Sequence, residues 1–185
     1  DGIFAGGQEK TLKGRVFNPN MPTEEVFTTP KAGAAEGIVY STKPLSYMGE
    51  LIDNFSMRFE NGKIVEVKAE VGEALLKKMV SMDEGAAMLG EVALIPYDSP
   101  ISQSGILFYN TLFDENASCH LALGHGFNEC LKGFEKMTDE ECKACGVNDS
   151  MIHVDFMIGT RDMSIVGITK DGKRVQIFEN GNWAF

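Results

Sequence analysis

Histidine is scarce in this sequence, with three residues in 185. Long apolar runs are missing altogether. No stretch approaches the ~18 consecutive apolar residues that mark a transmembrane helix, so no membrane span is expected. Positive charge is also in short supply, 17 basic residues standing against 27 acidic ones for a formal charge of −10. That balance argues against nucleic acid or an anionic membrane as partner, because both attract basic patches. It suits metal cations or the protonated amine of a substrate. Cysteine pairs are wanting too: Cys142 and Cys145 have CxxC spacing, but Cys119 and Cys130 form no second pair to complete a four-cysteine zinc site. Free thiols in a reducing cytoplasm are the simpler reading, and a structural zinc module on these cysteines would be marked by metal release on thiol alkylation. Repeats, low-complexity tracts and long linkers are absent. The first residues, Asp1-Gly2-Ile3-Phe4-Ala5-Gly6-Gly7, carry neither Met nor a signal-peptide pattern. They read like the interior of a longer protein, and a fragment is expected.

What is present is enough to build a core. The chain is 43% hydrophobic and 24% charged, which suits one domain over residues 1–185. Two hairpins are expected. Residues 55–60 and 63–68 flank Asn61-Gly62, and residues 164–169 and 174–178 flank Asp171-Gly172. Both pairs alternate apolar and polar residues around a favoured two-residue turn. A helix is expected over Glu73–Met82, with Ala74, Leu75, Met79 and Val80 on its apolar face. A second short helix should follow Asp83 and stop at Gly90. Thr138-Asp139-Glu140-Glu141 reads as a capping box opening a helix that ends at Gly146. Proline marks loops at Pro19 to Pro22, at Pro30 and at Pro96 to Pro100. The expected fold class is α+β, a β-rich single domain with hairpins and a few short helices.

All three histidines fall between residues 120 and 153, two of them in carboxylate-rich phrases. Imidazole plus carboxylate is a ligand set for borderline divalent ions such as zinc, cobalt or manganese. His153 and Asp155 lie two apart in the strand-like run Ile152–Ile158, so both project from one face and can serve one metal centre. They can equally face solvent or pair with each other. Glu115 and His120 are five apart in a segment expected to be a short helix from Asp114 to Gly124. Five residues are about 500° of helix, so the two side chains do not stack. Spacing leaves open a capping carboxylate plus a core histidine, or two ligands that converge. His125, between glycines, reads as a loop residue. Glu24 and Glu25, and Glu91 at the head of an apolar strand, supply further carboxylates of the kind a two-metal site needs.

Taken in order, several long phrases resemble the catalytic half of the aminopeptidase T family of metallopeptidases. They are NMPTEEVFTTP (20–30), STKPLSYMGELIDNF (41–55), MDEGAAMLGEVALIPYDSPIS (82–102), FYNTLFDENASCHLALG (108–124) and NDSMIHVDFMIGT (148–160). The resemblance implies the C-terminal domain of a two-domain metallopeptidase, whose N-terminal domain helps cover the cleft. It implies an exopeptidase that removes N-terminal residues from peptides with two divalent ions (Zn, Co or Mn). The implied metal ligands are Glu25, Glu91, Glu115, His120, His153 and Asp155, with Glu91 bridging. In the implied chemistry two ions, roughly 3.5–4 Å apart, lower the pKa of a water that attacks the scissile carbonyl. Glu24 or Glu91 accepts and returns the proton. A cytoplasmic homodimer acting on peptides is implied as well.

One position departs from the family. Many members carry tyrosine seven residues after the first site histidine, where this chain has Phe127. Whatever a phenol hydroxyl supplies there is lost, and His125 or a water is the candidate replacement. The rival expectation is a non-catalytic dimerisation or metal-binding domain, inactive through truncation or through Phe127.

Overall fold

Turn chemistry and hydrophobic alternation account for most of the architecture. The computed structural model describes residues 2–11, 13–18 and 24–185, so the expected proline loop at 19–22 and the first residues of the 20–30 phrase lie outside the described residues. In chain order the strands are β1 (Glu9–Lys10), β2 (Val16–Phe17), β3 (Val26–Thr28), β4 (Gly37–Tyr40), β5 (Leu45–Tyr47), β6 (Glu50–Glu60) and β7 (Lys63–Val71). Helix α1 (Glu73–Val80) is followed by β8 (Leu89–Leu94), α2 (Pro100–Ser104), α3 (Thr111–Asp114) and β9 (His120–Gly124). Helix α4 (Asp139–Ala144), β10 (His153–Met157), β11 (Ile165–Ile168), β12 (Arg174–Glu179) and β13 (Asn182–Trp183) complete the chain. The fold is α+β and strand-rich, as expected.

Both expected hairpins form. Asn61 and Gly62 have φ of 51° and 80°, the pair of positive angles a primed two-residue turn requires, and they join β6 to β7. The second hairpin joins β11 to β12, though through residues 169–173 with Gly172 alone at positive φ (81°) rather than through a two-residue turn, and β13 extends it to three strands. Strand β6 also pairs with β4 and β5, so this long hairpin nucleates a sheet of its own.

A second, antiparallel sheet has the order β10-β9-β8-β3. Its two faces are chemically unlike. Leu121, Leu123, Val154 and Phe156 point toward the long hairpin and join Leu45, Ile52, Phe55, Met57, Leu76 and Met79 in the main core. The rings of Phe55 and Phe156, 5.7 Å apart, link the two sheets. His120, Ala122 and Gly124 alternate with those leucines and so face the other way.

Three expectations are corrected. The helix after Asp83 is a single 3-10 turn, Gly85–Ala87, and Gly90 lies inside β8 rather than ending a helix. Helical structure after Asn110 stops at Ala117, and His120 opens a strand. That strand lies between two neighbours and is buried on both sides, so His-Leu-Ala-Leu shows too little polar alternation to be told from a buried helix segment. In α1 the inward residue is Leu76, with Met79, whereas Ala74 is exposed. The helix from Thr138 does form with its reciprocal capping box.

Gly62 tests the turn. A Cβ there would lie 2.2 Å from the Gly33 Cα, on a backbone that already has positive φ. Gly62→Ala should therefore destabilise by more than the ~1–2 kcal/mol of left-handed backbone alone, measured by urea unfolding. A smaller change would mean that the β6–β7 turn is not held as described.

Candidate metal centre

The polar face of the second sheet gathers the acidic and imidazole side chains by register. Ala122 in β9 is opposite Glu91 of β8 and opposite Asp155 of β10. Cross-strand partners share a face, so Glu91 and Asp155 flank Ala122, while His120 and His153 lie two residues along on the same side. Glu91 reaches that face only because of a β-bulge. Leu89 is opposite Leu123, and the register then shifts so that Glu91, not Gly90, is opposite Ala122. Without the extra residue Glu91 would oppose Leu121 and point into the apolar core.

Six side chains converge there. Ligand atoms lie within 4.8 Å of one another in three overlapping groups: Glu25–Glu91–His120, Glu91–His153–Asp155 and Glu115–His120–Asp155. His120 Nε2 is 3.2 Å from Glu25 Oε1 and 4.0 Å from Glu91 Oε1. His153 Nε2 is 3.1 Å from Glu91 Oε2 and 3.2 Å from Asp155 Oδ1. The two oxygens of Glu91 thus face different histidines. Each imidazole is oriented through its other nitrogen: His120 Nδ1 is 3.2 Å from the Ser118 carbonyl, and His153 Nδ1 is 2.7 Å from the His125 carbonyl. Both Nε2 atoms are thereby turned into the cluster, as in ligand histidines held by outer partners.

Electrostatics sets the same residues apart. Burial disfavours the charged form of His120, but its hydrogen bond to Glu25 and the charges of Glu91 and Asp155 win, raising it to about 9. His153 is raised to about 11, burial being outweighed by Asp155 and Glu91. Burial pushes the Glu91 carboxyl up against the pull of His153. Asp155 is also opposed by burial, yet the His153 imidazole holds it below the usual carboxylate range.

The donor set fits divalent cations. Four carboxylates meet two imidazoles in a site where Glu91, Glu115 and Asp155 are each under one-tenth exposed. Such a charge excess is costly to bury without cationic partners. Asp155 Oδ1 adds a specific sign: among the described residues it is the one buried side-chain oxygen or nitrogen without a hydrogen-bond partner, its approach to His153 lacking the geometry.

Residues around the cluster divide clearly. Glu24 is exposed at the bend before β3 and gives no atom to the three groups. The His125 imidazole is half exposed and turned toward Asp149, 3.7 Å away, so it does not replace a phenol in the cluster; its carbonyl does the orienting. The Phe127 ring lies 4.9 Å from the His153 ring and 5.1 Å from Phe27, forming an apolar wall beside the histidine. Side-chain patterns carry no signal for the Ser118 and His125 carbonyls. Cys119 serves the backbone, its Sγ lying 3.4 Å from the Ile95 amide and 3.3 Å from its carbonyl. None of the four cysteines joins the three groups.

Residues 1–183 match the thermophilic metalloprotease (M29) family. The chain belongs to that family. Among M29 relatives, aminopeptidase AmpS of Bacillus subtilis (strain 168) is 59% identical over 183 residues, covering 99% of this chain and 45% of that protein. Aminopeptidase T of Thermus aquaticus is 48% identical over 181 residues, 98% of this chain and 44% of that protein. The solved structure of wild-type AmpT from Thermus thermophilus superposes with a TM-score of 0.91 at 44% identity, covering all of this chain and 45% of that one. The chain thus spans somewhat under half the length of the M29 relatives it matches.

The segment leading into β10 is clamped by Asp83, whose carboxylate accepts from the Met151 amide, the Ser150 hydroxyl and the Ala86 amide. The Met151 amide contributes most to holding Asp83 below its ordinary pKa. A depressed carboxyl stabilises above its unfolded pKa and loses that contribution as pH falls through the folded value. Asp83→Asn should therefore unfold more readily than wild type at pH 7, and the gap should close below about pH 4, followed by thermal unfolding across pH. A gap that persisted at pH 2 would show that charge is not what the clamp supplies.

Proposed function

We propose that this chain is the C-terminal, metal-holding domain of an M29 metalloaminopeptidase that removes N-terminal residues from peptides. The observation that carries this reading is the set of three overlapping ligand groups, which together use Glu25, Glu91, Glu115, His120, His153 and Asp155. Six donors across the three groups exceed the roughly three or four protein ligands that one ion such as zinc takes, which favours two ions over one. Glu91 is the proposed bridge, since its two oxygens face different histidines.

Zinc, cobalt or manganese held here would supply Lewis acidity to a scissile carbonyl and acidify a water. The chain's own contributions are separable. The Ser118 and His125 carbonyls fix the imidazole orientations. Phe127 and Phe27 keep one side of His153 apolar. The chain's overall charge of −10 favours the approach of a substrate's α-ammonium, and hence a free N-terminus. Exposed Glu24, next in sequence to Glu25, is the proposed proton acceptor, in keeping with a base that must meet both water and substrate. Domain 1–185, a companion N-terminal domain, a cytoplasmic location and a homodimer belong to the same proposal. Exposed Ile106, Phe108, Tyr109 and Leu112 support a further packing partner.

The test uses the full-length protein and aminoacyl-nitroanilides. Glu91→Gln should lose bound metal by mass spectrometry and lower kcat by at least about 100-fold, while Glu24→Gln should keep the metal and lower kcat by about 100-fold. Undiminished turnover in Glu91→Gln would remove Glu91 from the site. A wild-type protein that binds metal but cleaves nothing would favour the non-catalytic reading.

A further inference from the structure

Thr29 lies just past the end of β3, largely buried. It contributes no atom to the ligand groups. Its hydroxyl nevertheless makes two contacts that join segments far apart in sequence. Oγ1 donates to the Gly90 carbonyl at 2.7 Å, and accepts from the Phe127 amide at 3.3 Å.

Gly90 is the extra residue of the bulge that turns Glu91 onto the polar face, so its peptide falls outside the regular β8–β9 pairing. A buried carbonyl in that position needs another donor. The Thr29 hydroxyl is that donor. The surroundings leave little room for any other arrangement. A Cβ on Gly90 would lie 2.2 Å from the His125 oxygen and 2.4 Å from the Gly124 oxygen, and one on Gly126 would lie 2.3 Å from Thr29 Oγ1. Two glycines, Gly90 and Gly126, thus let the bulge, the 124–127 segment and the Thr29 side chain come into close contact.

From this arrangement we infer that Thr29 is a positioning residue for the metal centre, an inference that rests on the metal-site reading above. One hydroxyl holds the bulge that presents Glu91. The same hydroxyl holds the segment that presents the His125 carbonyl to His153 and the Phe127 ring against it. It therefore sets the spacing between the two sides of the site, Glu91 on β8 and His153 on β10. A methyl in place of the hydroxyl leaves the Gly90 carbonyl and the Phe127 amide unpaired while keeping the shape of the side chain, so the bulge and the 125–127 segment drift independently.

The experiment titrates cobalt(II) alone into the full-length wild-type protein, Thr29→Val and Thr29→Ser, with chelator competition for affinity and visible absorption for coordination. Thr29→Val should weaken cobalt(II) binding by about 10–100-fold, the range for outer partners of metal ligands, and alter the d–d spectrum. Thr29→Ser should restore both to wild-type values, because only the hydroxyl is at stake. Wild-type affinity and spectrum in Thr29→Val would overturn the inference while leaving the metal centre standing. Equal losses in Thr29→Ser and Thr29→Val would also overturn it, because a variant that keeps the hydroxyl would then fare no better than one that lacks it. If wild type itself binds no cobalt(II), the metal-centre reading falls and the inference with it. Should Thr29→Val not fold, Thr29→Ala makes the same comparison, and loss of the fold in both would assign the hydroxyl to the fold instead of the site.

Discussion

A single-residue β-bulge decides on which side of the sheet this protein keeps its acid. Strand β8 reads Leu-Gly-Glu-Val-Ala-Leu, and regular pairing would bury Glu91 among the leucines of the main core. The extra residue reverses the facing, and Glu91's place in two of the three ligand groups follows from it. Glu91 then meets Asp155 across Ala122, and its two oxygens reach toward both histidines. Small residues at Ala122 and Gly124 leave the space those longer side chains fill. The site is thus a local exception written into an otherwise regular sheet.

The sheet also explains how so much negative charge is tolerated. Its apolar face is anchored by leucines, valine and phenylalanine against the long hairpin, which fixes the strands before any polar contact is considered. Aliphatic burial of this kind stabilises by about 25 cal/mol per Å² removed from water. The polar face can then carry groups that are costly by themselves. The histidines are held from behind by main-chain carbonyls, so neither depends on a carboxylate for its orientation.

Sequence reading was strong where the signal was local. Asn61-Gly62 specified its turn, Thr138 and Glu141 their capping box, and the i, i+2 spacing of His153 and Asp155 their shared face. The six side chains in the cluster were all nameable from the sequence, but only because of the family resemblance. Spacing by itself left Glu115 and His120 ambiguous, and it misread His120 as helical because a central strand buried on both sides lacks alternation. The bulge was invisible, since Gly90 looked like a helix stop. The orienting carbonyls were equally invisible, because a main-chain oxygen leaves no mark on residue identity.

The strand order carries a further consequence, for how the site comes into being. Glu25 and Asp155 stand at opposite ends of the cluster's span in sequence, and β9 must already lie between β8 and β10 before they approach. No two neighbouring turns of chain contain a ligand group, so there is no local nucleus on which an ion could template structure. Non-local pairing of this sort pays its loop-closure entropy late in folding. The Glu25–Glu91–His120 group needs only β8, β9 and the residue before β3, whereas the other two groups also need Asp155 of β10. The full cluster is therefore a property of the assembled four-stranded sheet and of no shorter piece of it.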